Sequence, residues 1–104
     1  MAKKHIAPFA PMQAAANQAA GLMKALSHPQ RLLLLCLLSE GEQPVGTLAE
    51  ATGMKEAATS QQLARLRLEG LVTTRRDGKA IIYAIRDPRV LQQVRLMQEL
   101  FGVA

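Results

Sequence analysis

The stretch Val45–Pro88, VGTLAEATGMKEAATSQQLARLRLEGLVTTRRDGKAIIYAIRDP, decides the fold. Val45, Leu48 and Ala49 recur at helical spacing and stop at Gly53, a residue suited to a left-handed cap. A second helical run begins at Met54. Leu63 and Leu66 form its inward stripe, with Ala57 or Ala58 as candidates to extend it, and Glu69-Gly70 ends it. Two short helices about a tight glycine turn have helix-turn-helix spacing. Past Gly70 the pattern turns β-rich. Leu71–Arg75 and Ala80–Ile85 are joined through Arg76-Asp77-Gly78-Lys79, and Asp-Gly is a strong hairpin signal. Asp87-Pro88 then opens a last helix, with an acceptor at the cap and proline in the first position.

Upstream, residues 1–11 carry Pro8 and Pro11 without periodicity and read as a flexible arm, leaving 12–104 as the folded domain. Met12, Ala15, Ala16, Ala19, Leu22, Met23 and Leu26 mark one face of a first helix that stops at Ser27-His28-Pro29. Its many alanines let a partner helix approach closely. A second helix, about 29–40, is apolar nearly all round and so belongs in the middle of the domain. Glu40–Pro44 reads as a turn. Val90, Leu91, Val94, Met97 and Phe101 give the last helix its apolar face. The order helix, helix, helix-turn-helix, hairpin, helix is that of a winged helix: mainly α with a β-hairpin wing.

Composition excludes several functions. The chain has 104 residues, enough for one domain, and its 49% hydrophobic content can build a core. Phe9, Tyr83 and Phe101 are all its aromatics, too few to stack single-stranded bases in a row. One cysteine, Cys36, and two histidines, His5 and His28, make neither a disulfide framework nor a four-ligand zinc site; no metal and no cofactor are expected. The longest apolar run, Leu32–Leu38, is far short of the ~20 residues that span a bilayer. With no signal-peptide pattern either, a cytoplasmic protein without a membrane partner is expected. No Ser/His/Asp set, phosphate-cradling glycine loop or paired carboxylates with a base argue for an enzyme.

The net charge is +5, and residues 55–95 concentrate it with nine Lys/Arg against four Asp/Glu. A basic stripe over a helix-turn-helix and a wing is the footprint of a phosphate backbone. Thr59, Ser60, Gln61 and Gln62 put short donors and acceptors at the start of the second helix of the pair. Gln61 suits a bidentate bond to adenine, and Arg65 lies one turn on, on the same face. Lys55 stands at the cap, where it cannot accept the usual hydrogen bond but suits a nearby phosphate. Arg75, Arg76 and Lys79 flank the wing turn as candidate backbone contacts. The expected partner is a double-stranded DNA operator. A competing reading is a winged-helix module for nucleic acid or protein that lacks operator specificity.

The segments S-H-P-x-R-L (27–32), S-Q-x-L-x-x-L-R-x-x-G-L-V (60–72) and R-R-D-G-x-x-I-x-Y (75–83) together resemble the ArsR/SmtB family of winged-helix repressors, over roughly residues 12–101. The resemblance implies a homodimer built through the first and last helices, with Ala19 and Val94 on the faces expected to meet. It is nearest to the sulfide- and persulfide-responsive SqrR/BigR branch, which pairs a cysteine in the second helix with another near the end of the last. Cys36 matches the first, so redox sensing is implied for it; Gly102 stands where the second would be. Gly102→Cys is accordingly expected to create a thiol response. The ligand motifs of metal-sensing branches are missing, and the last helix opens Asp87-Pro88-Arg89.

Overall fold

The computed structural model describes residues 8–102. Five helices and three strands follow in order: α1 Phe9–Leu26, α2 Pro29–Leu38, β1 Gln43–Pro44, α3 Val45–Thr52, α4 Glu56–Leu68, β2 Val72–Asp77, β3 Ala80–Ile85 and α5 Pro88–Phe101. A winged helix-turn-helix is therefore the observed architecture, mainly α with a small sheet in the order β1-β3-β2.

A helix as apolar as α2, nearly all round after its first turn, can only be stable if other elements surround it. It packs against α1, α3, α4, α5 and β3. Leu34, Leu35 and Leu38 are buried in one core with Leu48 of α3, Leu63 and Leu66 of α4, Val72 and Tyr83 of the sheet, and Val90 and Val94 of α5. Leu33 alone of the leucine run points half outward, at 49% exposure.

Two sequence expectations are corrected at the chain's entry and in the 40–44 turn. α1 begins at Phe9, inside the expected arm; the rest of that arm, residues 1–7, lies outside the described residues. Pro11 falls in the helix's first turn, where its missing N–H would have had no partner anyway. Gln43–Pro44, expected within a turn, pairs antiparallel with Tyr83 and Ile82 of β3 as an edge strand. An edge is where proline fits a sheet. The hairpin itself closes through Asp77↔Ala80, with Gly78 at φ 62° as the first central residue, the position a type II′ turn reserves for glycine.

α1 is peculiar. From Phe9 to Gly21 every residue is exposed, and Ala25 is its one buried residue. The radius of gyration is 16.5 Å, against about 13 Å for a compact chain of this length. The helix leaves the body with its apolar stripe uncovered. α5 is divided. Val90 and Val94 are fully buried within the chain, while Leu96, Leu100 and Phe101 are 42%, 63% and 74% exposed. Val94 is thus a core residue, which corrects its expected place on a face between protomers.

Asp87 caps α5, its Oδ1 accepting from the Arg89 backbone N–H at 2.9 Å, and its carboxylate also meets the Arg89 guanidinium. Those bonds hold the carboxyl below its ordinary range. A depressed native pKa contributes stability above the unfolded value, and that contribution is lost as pH falls through the native one. Asp87→Ala should therefore melt lower than wild type at neutral pH, by about 1 kcal/mol of capping free energy. The difference should shrink on acidification below pH ~4, as read by thermal denaturation across pH.

Candidate nucleic-acid interface

The outward face of α4 is set by its inward one. Thr59, Leu63 and Leu66 are fully buried, spaced i, i+4, i+7. The opposite line therefore runs Ala57, Gln61, Ala64, Leu68, with Arg65 beside it, and all five are exposed. Gln61 and Arg65 share a face, as their spacing indicates, and Ser60 and Gln62 stand half-buried on its flanks. Ala57 and Ala58, candidates for the inward stripe, are both exposed; Thr59 takes that place. The small alanines leave Gln61 the first long side chain on that outward line, so that a groove floor could approach closely.

Thr59 is a correction to the expected set. Its side chain has no exposed surface, and its hydroxyl donates to the Lys55 carbonyl oxygen at 3.0 Å. A buried hydroxyl occupied in this way cannot reach a base or phosphate. Lys55 is exposed at the N-cap, and no side-chain bond caps the helix there. The first-turn amides of α4 thus lack a side-chain acceptor; the Lys55 ammonium adds positive charge beside them, and the Glu56 carboxylate in the same turn offsets part of it.

Both ends of α4 are fixed. Before it, Gly53 caps α3 at φ 74°, and Thr52 Oγ1 donates to the Leu48 carbonyl at 2.9 Å, making the tight turn between the helices. After it, the Gly70 N–H donates to the Arg67 carbonyl and the Leu71 N–H to the Leu66 carbonyl, at 2.9 and 3.0 Å. These two bonds form a Schellman motif, with Gly70 left-handed at φ 77° and Leu66 and Leu71 both buried. That closure throws the chain directly into β2, coupling the helix to the wing. Arg31 of α2 adds an ion pair to Glu69 at 3.6 Å.

On the wing, Arg75, Arg76 and Lys79 are all exposed. Lys79 and Ile81 share an open cleft with Glu56 of α4 and with Gly46 and Thr47 at the start of α3. The wing tip and the N-terminal ends of both helices therefore lie on one side of the molecule. Arg75 is engaged elsewhere, in an ion pair with Glu42, a partner that sequence reading did not identify. Among the described residues no group of three or more His, Cys, Asp or Glu is arranged to hold a metal ion. No described helix is long and apolar enough to cross a membrane.

Cys36 is half-buried in α2, in a cleft of about 240 Å³ that includes Leu33, Thr52 and Gln98 of α5. Burial pushes its thiol above the ordinary value, partly offset by a hydrogen bond with the Gln98 side chain. The end of α5 is thus close to Cys36, yet Gly102 is not poised to carry a second thiol. It caps α5 at φ 69°, and a Cβ built there meets no atom within 4 Å. A disulfide needs Cβ atoms about 3.8 Å apart. Gly102→Cys would be strained on this backbone, and no neighbour lies within contact distance of the new Cβ.

Known proteins share this arrangement. The model of bacterial regulatory proteins of the arsR family matches residues 28–74. The HTH-type transcriptional regulator YgaV of Escherichia coli is 49% identical over 83 residues, 79% of this chain and 84% of its own length. The crystal structure of the transcriptional repressor BigR from Xylella fastidiosa superposes with a TM-score of 0.83 at 41% identity, covering 91% of this chain and 97% of that one. A homodimeric winged helix-turn-helix DNA-binding domain from Mycobacterium bovis, solved in solution, gives 0.75 at 34% identity, over 98% of this chain and 91% of that one.

Proposed function

The chain belongs to the arsR family of bacterial regulatory proteins, and as a DNA-binding transcriptional repressor of that type we propose that it works as a homodimer on a pseudo-palindromic operator. Its activity is regulated binding, not catalysis. In the dimer, each α4 enters a major groove, the two about one turn of DNA apart, roughly 34 Å. Gln61 reads a base edge, and Arg65 takes a guanine or its phosphate. Lys55, Ser60 and Gln62 hold the backbone at the helix start, and Arg76 and Lys79 hold it at the wing.

The observation that carries this reading is the exposed Gln61–Arg65 line on a helix whose other face is wholly buried. Gln61→Ala or Arg65→Ala should each weaken operator binding by about 1–3 kcal/mol. Arg76→Ala and Lys79→Ala should weaken specific and random duplexes more evenly and flatten the salt dependence. Titrations of both duplexes over a salt series check this; four variants indistinguishable from wild type would refute the docking. A wild type that binds random duplex as tightly as its own promoter would favour a module without operator specificity.

Dimerisation follows from the uncovered stripe on α1 and the exposed end of α5. A second copy supplies the missing cover for both, and the relative from Mycobacterium bovis is itself homodimeric. Ala19 lies on the exposed part of α1, so a charge there has no role inside the protomer. Ala19→Glu should shift sedimentation toward monomer at micromolar concentration and lower operator affinity while the helical circular dichroism of the domain survives. A monomeric wild type would count against the interface directly.

Cys36 is the one thiol on which reactive sulfur or oxidants would act, and it has no cysteine partner in the chain. A raised pKa lowers its thiolate fraction at neutral pH, and without a resolving partner its adducts cannot lock a strained state. Polysulfide should therefore move operator affinity by no more than a few-fold in wild type. If polysulfide releases the DNA and Cys36→Ser abolishes that release, one thiol suffices for sensing.

A further inference from the structure

The basic residues of the wing face opposite ways. Arg76 stands across from Ile81 and Arg75 across from Ile82, and successive strand residues alternate between faces. Ile81 packs against the core, which Ile82 does not, so Arg76 lies on the side of the sheet turned to the body. Arg75 lies on the other side, together with Pro44, the neighbour of Ile82 on the opposite edge. Ile82 is 9% exposed, yet it stands outside the main core cluster. The register supplies its cover: the Pro44 ring on one flank and the apolar stem of Arg75 on the other.

The Arg75 guanidinium makes a two-point contact with Glu42, the residue just before β1. Nε donates to Oε2 at 3.1 Å and Nη2 donates to Oε1. The contact holds the Glu42 carboxyl below its ordinary range. A fork-on-carboxylate pair fixes orientation as well as distance. Here it joins the two outer strands of the sheet across the middle one, midway along the hairpin where β1 ends its pairing.

We propose that Arg75 is a positioning residue, a strut that through Glu42 sets the wing against the body, and that phosphate contact falls to Arg76 and Lys79. The inference rests on the operator-binding reading for its effect on DNA, but the strut itself does not require it. The alternative role predicts the opposite sign. If Arg75 held a phosphate, Glu42 would be its competitor, and removing Glu42 would tighten binding.

Glu42→Gln, Arg75→Gln and the double variant, in the full chain, separate the two. Two measurements suffice: operator affinity over a salt series, and hydrogen exchange of the β2–β3 amides without DNA. Each single variant should speed wing exchange and weaken operator binding by a similar few-fold, leaving the slope of log K against log salt unchanged. The double should be no weaker than either single, because the same interaction is lost in each. Tighter binding by Glu42→Gln, with Arg75→Gln cutting the slope by about 0.9 per lost phosphate contact, would overturn the strut. So would wing exchange unchanged in both singles. If instead Arg76→Gln and Lys79→Gln leave operator affinity untouched, the wing's contact with DNA fails, while the exchange result still decides the strut.

Discussion

Packing of Thr59, Leu63 and Leu66 against the body is the constraint on which the rest of the molecule turns. α4 rests on α2 and α3, and those three side chains have no exposed surface. A helix has only one face to give, so burying this one leaves Gln61 and Arg65 on the other with no further choice. The Schellman closure at Gly70 then carries the chain from the buried Leu66 to the buried Leu71. The wing therefore starts from a point fixed by the same core that orients α4. Reading helix and wing are not independent attachments; one packing decision places both.

That core is satisfied within the protomer for α2 to α5, but not for α1. A helix whose first three turns touch little of its own chain gains almost nothing from tertiary packing, and isolated helices are marginal in water. Its alanine-rich stripe costs little to expose and admits a close neighbour. The division within α5 follows the same logic: Val90 and Val94 anchor it to the protomer, which frees Leu100 and Phe101 for another surface. Stability and assembly are thus carried by different residues of one helix. A charge at Val94 would test folding and a charge on α1 would test association.

Much of this was legible in the sequence because it is written in local signals. Gly53, Gly70 and Gly78 mark three left-handed positions, and Asp87-Pro88 marks a helix start; each acts within a few residues of itself. What was not legible is long-range or ambiguous in residue type. Thr59 presents the same hydroxyl whether it faces DNA or folds back onto the Lys55 carbonyl, and only the packing of Leu63 and Leu66 decides. Two residues of β1 are too few to show a period. Pro11 reads as a breaker unless the helix is known to start just before it. Glu42 and Arg75, 33 positions apart, are brought together by an edge strand that itself escaped notice, so an arginine that looked free is held.

The residue at 102 shows how a local rule can outweigh a chemical one. α5 ends near Cys36, with Gln98 facing the thiol. Viewed for chemistry alone, the next turn of that helix is where a partner sulfur would be sought. Viewed for backbone, it is the helix stop, at φ 69°, where any side chain strains the turn and glycine does not. A second thiol at this position would require α5 to continue or to end in another way. This chain instead closes the helix cleanly and leaves the space around that position open. The chain has no second cysteine to which Cys36 could be tied, so any adduct formed there is confined to the half-buried cleft between α2, α3 and α5.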